Sequence, residues 1–120
     1  MDRCMTFVLG GGGARGALQL GALRALFEAD IQPDLLVGTS IGAANATGLA
    51  LWGVNQTGLE ALEQSYQKMA DSNLMNPRFA HLMRRILSGH PSDYGSRRVA
   101  EFFIAEGITP ELRFDQITDV

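Results

Sequence analysis

Cysteine is almost absent. The 120 residues hold one, Cys4, so an internal disulfide framework is excluded. That scarcity suits a reducing compartment, and the expected location is the cytoplasm. Histidine is scarce too, with only His81 and His90. No His, Cys, Asp or Glu group has the spacing of a metal site, so neither a metal nor a cofactor is expected. There is no basic tract, and 10 Lys and Arg stand against 13 Asp and Glu. A formal net charge of -3 argues against a nucleic-acid partner. The N-terminus lacks a basic stretch leading into a long apolar run, so no signal peptide is expected.

Long uncharged runs are also few. One, Leu35 to Gly53, approaches membrane-spanning length. Its interior carries Thr39, Ser40, Asn45 and Thr47 among glycines and alanines, which reads better as a buried strand followed by a buried helix. Against these absences, 46% hydrophobic and 19% charged residues describe a globular chain rather than a disordered one.

Glycine is abundant and clustered. Residues 5–10 read as a short buried strand that stops at Gly10-Gly11-Gly12-Gly13, with Cys4 as a small buried residue at its start. Ala14 to Ala29 reads as a helix with Leu18, Ala22, Ala25, Leu26 and Ala29 on one face, widened by Leu20, Leu23 and Phe27. Glu28 and Asp30 lie at the wrong end for the helix dipole, so the helix should fray or end there. Ile31-Gln32-Pro33 breaks it. Leu35-Leu36-Val37 reads as a second buried strand, Gly38 to Gly42 as a turn, and Ala43 to Trp52 as a small-residue helix with Trp52 in the core. Strand, helix, strand, helix at this spacing predicts an α/β fold with two adjacent parallel strands and a right-handed crossover.

The remainder reads as helices over Gly58–Met69, Arg78–Leu87 and Arg97–Glu106, with loops at Asn73–Pro77 and Gly89–Gly95. Leu112 to Val120 resembles the approach to another strand. Two strands make a poor sheet, so a missing C-terminal segment or a partner chain is expected to complete it.

Two motifs carry chemistry. Gly11 to Gly16 matches G-x-G-x-x-G after a strand, the dinucleotide fingerprint, but no acid stands at the end of the second strand to hold a ribose; Asp34 precedes that strand. A P-loop would need Lys then Ser or Thr where Ala17-Leu18 follow Gly16. Gly38-Thr39-Ser40-Ile41-Gly42 matches G-x-S-x-G at a strand-to-helix turn. Its glycines relieve backbone clashes, and its serine stands at a helix start, where negative charge is favoured. Ser40 alone could equally be a helix cap. Together, both motifs follow the C-terminal ends of neighbouring strands roughly 5 Å apart. A nucleophile beside backbone donors suits acyl transfer.

Val8 to Ala17 with Leu20 to Leu26, and Asp34 to Ala46, resemble the opening and nucleophile segments of patatin-like phospholipases. The resemblance is clear over residues 6–52 and looser beyond. It implies a three-layer patatin-like fold with a mainly parallel sheet, of which residues 1–120 form the N-terminal βαβα portion plus further helices. It implies a Ser-Asp dyad hydrolysing acyl esters of phospholipids or other lipids. Ser40 matches the nucleophile. The amides of Gly11, Gly12 and Gly13 match the oxyanion hole, Arg15 the basic position beside it, and Gly16, Gly38 and Gly42 the supporting glycines. The family's Asp lies in an Asp-Gly pair far downstream; no Asp here precedes Gly, so the catalytic Asp is not in this chain. A module that kept the fold and lost the chemistry, binding or scaffolding instead, stays open.

Other residues read as ordinary structure. Asp71 with His81 or His90 satisfies the order of a triad on paper, but all three lie in polar helical sequence and read as surface or capping groups. Arg84-Arg85 and Arg97-Arg98 read as solvated helix faces, with peripheral membrane contact left open.

Overall fold

The computed structural model describes residues 4–72, 88–89 and 93–117. The chain divides into two compact units, residues 1–64 with 113–120, and residues 65–112.

In the first unit, β1 (Thr6–Leu9) leads through a 3-10 turn (Gly13–Gly16) into α1 (Ala17–Glu28), then β2 (Leu35–Gly38) and α2 (Ile41–Trp52). Helix α3 (Gln56–Asp71) follows, and the division between units falls within it. The two strands pair in parallel, with Thr6 opposite Leu35 and Leu9 opposite Gly38. This is the expected mixed α/β unit, a parallel pair flanked by helices. The stretch Leu35 to Gly53 resolves into a strand, a turn and a helix, and no helix among the described residues is long and apolar enough to cross a membrane.

The ladder is pinned at both ends. Asp34 and Leu35 N–H groups donate to the Met5 carbonyl at 2.7 and 3.2 Å, and Thr39 N–H donates to the Leu9 carbonyl at 3.0 Å. The Asp34 carboxylate accepts the Met5 N–H at 2.7 Å. Asp34 is therefore engaged at the end of the strands away from the glycine loop.

The strands read as buried, but among the described residues only one face of the pair is covered. Phe7 and Leu9 are buried, whereas Val8 is 73% exposed and Leu35 and Val37 are 43% exposed. Paired residues in register share a face, so Val8 and Val37 lie together on the open side. An open apolar groove of about 320 Å³ runs along β1 and α1, lined by Phe7, Leu9, Leu23 and Leu26 among others.

The buried stripe of α1 also differs from expectation. It is Leu20 and Leu23, while Leu18 is 74% exposed and Ala22 and Ala25 face solvent. Helical periodicity allows both faces, and the one-sided cover of the strands selects between them. Helix α1 ends at Glu28, as the dipole argument required, through a Schellman motif: Asp30 N–H reaches the Phe27 carbonyl and Ile31 N–H the Leu26 carbonyl, with Asp30 at φ 59°. Cys4 is exposed rather than buried, because it precedes the first ladder residue. Trp52 is half-buried over Gly48, less enclosed than expected.

Helix α2 packs on both strands, and Leu49, Leu59 and Leu62 close the core of this unit. Arg24 on α1 and Glu63 on α3 form a two-pronged ion pair at 2.5 and 2.6 Å. The Glu63 hydrogen bond and charge hold the Arg24 guanidinium above its ordinary pKa.

In the second unit, α4 spans Asp93–Ala105. It starts before Arg97, where the helix was expected, because an isolated glycine such as Gly95 costs a helix only about 1 kcal/mol. Gly107 at φ 93° closes it with a second Schellman motif, through Gly107 N–H to Ile104 and Ile108 N–H to Phe103. Phe102 and Phe103 meet edge to face at 5.8 Å. Lys68 pairs with Glu106 and Arg97 with Glu101, each at 2.9 Å. Residues 114–116 of the first unit form a 3-10 turn where the approach to a strand was expected. The expected loop at Asn73–Pro77, the helix at Arg78–Leu87, and His81, His90 and Arg84-Arg85 lie outside the described residues.

The two faces of α1 are expected to behave differently. In urea unfolding of the full-length protein, Leu23→Ala should cost about 2–5 kcal/mol. Leu18→Ala should stay within about 0.5 kcal/mol. Equal costs would contradict the observed orientation of the helix.

Candidate active site

The glycine loop leaves β1 and the serine turn leaves β2 at the same end of the strand pair. Two glycines let them meet. A methyl group built on Gly42 would run into the Leu9 carbonyl oxygen and lie 2.7 Å from the Gly10 carbonyl oxygen. One on Gly38 would lie 2.5 Å from the Gly42 carbonyl oxygen and 2.6 Å from Ala43 Cα. The opening turn of α2 therefore rests directly on the end of β1, with no room for a side chain between them. The glycines flanking the serine have the task the sequence suggested.

Ser40 occupies the turn at φ 56° and ψ −124°. A side chain in this region costs on the order of 1–3 kcal/mol. The surroundings hold it there. The Gly42 N–H donates to the Thr39 carbonyl at 3.0 Å, and the Ala43 and Ala44 N–H groups donate to the Ser40 carbonyl at 2.9 and 3.2 Å. Ser40 stands at the N-cap position of α2, yet its hydroxyl makes no capping hydrogen bond. The side chain is exposed.

Gly11 comes against the serine: a methyl built on it would lie 3.3 Å from Ser40 Cβ and 3.6 Å from the Thr39 carbonyl oxygen. Gly12 neighbours Arg15, whose N–H donates to the Gly12 carbonyl at 3.2 Å. Gly13 adopts φ 58° and opens the 3-10 turn with free space around its Cα. Among the described residues, none of these three glycine N–H groups donates to a backbone carbonyl or a side chain. Arg15 is exposed and forms no ion pair among the described residues. Gly16 is buried. No three His, Cys, Asp or Glu side chains gather among the described residues as metal ligands would.

Two polar residues at this site carry no motif. Asn45 on α2 is fully buried, and its Nδ2 donates to the Gly16 carbonyl at 3.3 Å and to Gln19 Oε1 at 2.8 Å. Gln19 Nε2 in turn donates to the Gly10 carbonyl at 2.6 Å. The signal in the sequence was their company, one amide among Ala43, Ala44 and Ala46 and another between Leu18 and Leu20.

A family model described as patatin-like phospholipase matches residues 7–114. The chain belongs to the patatin-like phospholipase family. Among similar proteins, lysophospholipase nte1 of Aspergillus terreus is 58% identical over 43 residues, covering 36% of this chain and 3% of that protein. Patatin-like phospholipase domain-containing protein 7 of Rattus norvegicus is 62% identical over 39 residues, covering 32% of this chain and 3% of the relative. Lysophospholipase NTE1 of Chaetomium globosum is 64% identical over 36 residues, 30% of this chain and 2% of its own length. The matched stretches are thus a small part of these relatives. No solved structure matches. The close approach of the serine turn to β1 can be probed through its glycines.

Gly42→Ala should destabilise the full-length protein by about 3 kcal/mol or more, because the obstruction is backbone that cannot move aside. Gly10→Ala, with nothing within 4 Å, should stay near wild type. Urea midpoints measure both, and a tolerated Gly42→Ala would contradict the close approach.

Proposed function

We propose that this chain carries the nucleophile half of a lipid acyl-ester hydrolase acting through a Ser-Asp dyad. The observation that carries the proposal is Ser40, held at φ 56° with its hydroxyl uncommitted and Gly11 against its side chain. Ser40 Oγ attacks the ester carbonyl, and its proton passes to the Asp, which we place beyond residue 120. The carbonyl electrons move onto oxygen, where the N–H groups of Gly11, Gly12 and Gly13 stabilise the oxyanion. Collapse expels the alcohol, a lysolipid or glycerol derivative, which takes the proton. Water then attacks the acyl-serine by the same route and releases the fatty acid. Each oxyanion donor is worth roughly 3 kcal/mol in the transition state. Arg15, exposed beside Gly12, adds positive charge at the mouth of the site, where a substrate phosphate would enter.

The reading extends to architecture. Residues 1–120 would be the N-terminal part of one three-layer domain whose further elements cover Val8, Leu35 and Val37. The open apolar face is the support for this. A cytoplasmic protein drawing its lipid from a membrane surface suits a chain with one cysteine and no described membrane-spanning helix.

Ser40→Ala in the full-length protein should lower ester turnover by about 10³-fold or more, with the melting temperature near or above wild type, since alanine removes nothing that holds the fold. Undiminished turnover would sink the nucleophile. No turnover in the wild type on lysophospholipid, phospholipid or short-chain ester would favour the non-catalytic binding module. Residues 1–120 expressed alone should turn over no ester, for want of the base.

A further inference from the structure

The serine turn and the glycine loop come from different strands, so something must fix one against the other. Ser40 opens α2, and Asn45 sits five residues on, wholly buried. From Asn45 an unbroken line of amide hydrogen bonds reaches the loop at both of its ends. Asn45 Nδ2 donates to the Gly16 carbonyl at 3.3 Å, where the loop closes into α1. The same group donates to Gln19 Oε1 at 2.8 Å, and Gln19 Nε2 donates to the Gly10 carbonyl at 2.6 Å, where the loop leaves β1. Gly11, Gly12 and Gly13 lie within the span between these two anchored carbonyls, followed by Ala14 and Arg15.

We infer that Asn45 and Gln19 are positioning residues that hold the glycine-loop amides in register with Ser40. The inference rests on the proposed nucleophile and adds residues that no motif contains. Chemistry restricts which side chains can serve. The carbonyls of Gly10 and Gly16 are acceptors only, so each must receive a donor. Gln19 turns its nitrogen to Gly10, which leaves its oxygen to receive Asn45. An amide offers the donor and the acceptor together on one planar group. Glutamate at 19 keeps the acceptor for Asn45 and sets a carboxylate against the Gly10 carbonyl. Leucine or methionine fills the space and makes neither bond. Because the loop has four consecutive glycines, its own backbone supplies little stiffness, and restraint has to come from outside.

The relay acts on the transition state rather than on substrate capture. Loop amides displaced by about 1 Å from the developing oxyanion cost about a hundredfold in rate. Substrate binding away from the reacting carbonyl is untouched.

The test uses the full-length protein, with Gln19 chosen because it is only half-buried. Gln19→Ala and Gln19→Glu are compared with wild type on a soluble short-chain ester, alongside crystal structures of both variants. Expected are a fall in kcat of about tenfold to a hundredfold with KM within about twofold, and Gly11 to Gly13 amides displaced by about 1 Å or with raised B-factors relative to the rest of the chain. Gln19→Glu should be no better than Gln19→Ala, and adding Asn45→Ala to Gln19→Ala should cost far less than it does alone. Unchanged positions and B-factors of Gly11 to Gly13 in both Gln19 variants would overturn the inference whatever their activity. Wild-type kcat in Gln19→Ala, beside an inactive Ser40→Ala, would overturn it while leaving the nucleophile standing. An active Ser40→Ala would overturn the nucleophile, and this inference with it.

Discussion

The contact on which the rest depends is between two pieces of backbone: position 42 against the carbonyl at the end of β1. Nothing larger than hydrogen fits there. Because Gly42 comes that close, α2 begins over the strand ends rather than beside them. The chain must then turn from β2 into α2 within Thr39 and Ser40, and Ser40 takes up the strain. The strain is modest beside what holds it, since α2 buries Leu49 completely and shares the core with Leu59 and Leu62. Burying each such leucine contributes about 1.5–3 kcal/mol, enough to offset one unfavourable backbone conformation.

The same contact has an electrostatic side. The Gly42, Ala43 and Ala44 N–H groups at the start of α2 fold back onto the Thr39 and Ser40 carbonyls, at the strand end from which the glycine loop also leaves. A helix N-terminus carries positive partial charge. Arg15 is the only full charge in the glycine loop, and it stands exposed on the 3-10 turn instead of inside it.

Much of the first unit was legible in the sequence. Short apolar runs ending in glycine located both strands, and their spacing through one helix required parallel pairing. Gly38 and Gly42 declared a close approach because no other residue could make it. What was not legible depended on partners distant in sequence. Leu18 and Leu20 are equally apolar, and only the one-sided cover of the sheet decides that Leu20 is buried. Val8 and Val37 read as core residues by type, yet among the described residues they stay 73% and 43% exposed. Gln19 and Asn45 were invisible as a pair because their meeting is created by the fold. Neither belongs to a motif, and 26 positions separate them.

Cys4 gives the molecule a chemical polarity. It is exposed and stands just ahead of β1, whereas Ser40 lies past the other end of the strand pair. At ~3.3 Å per residue of extended chain, the run from Cys4 to the glycine loop spans about 20 Å. The Cys4 thiol and the Ser40 hydroxyl therefore stand at opposite poles of the same two strands. A fluorophore or spin label on Cys4 would sit clear of the serine turn, and any effect of alkylating this thiol on that turn would have to travel the length of β1.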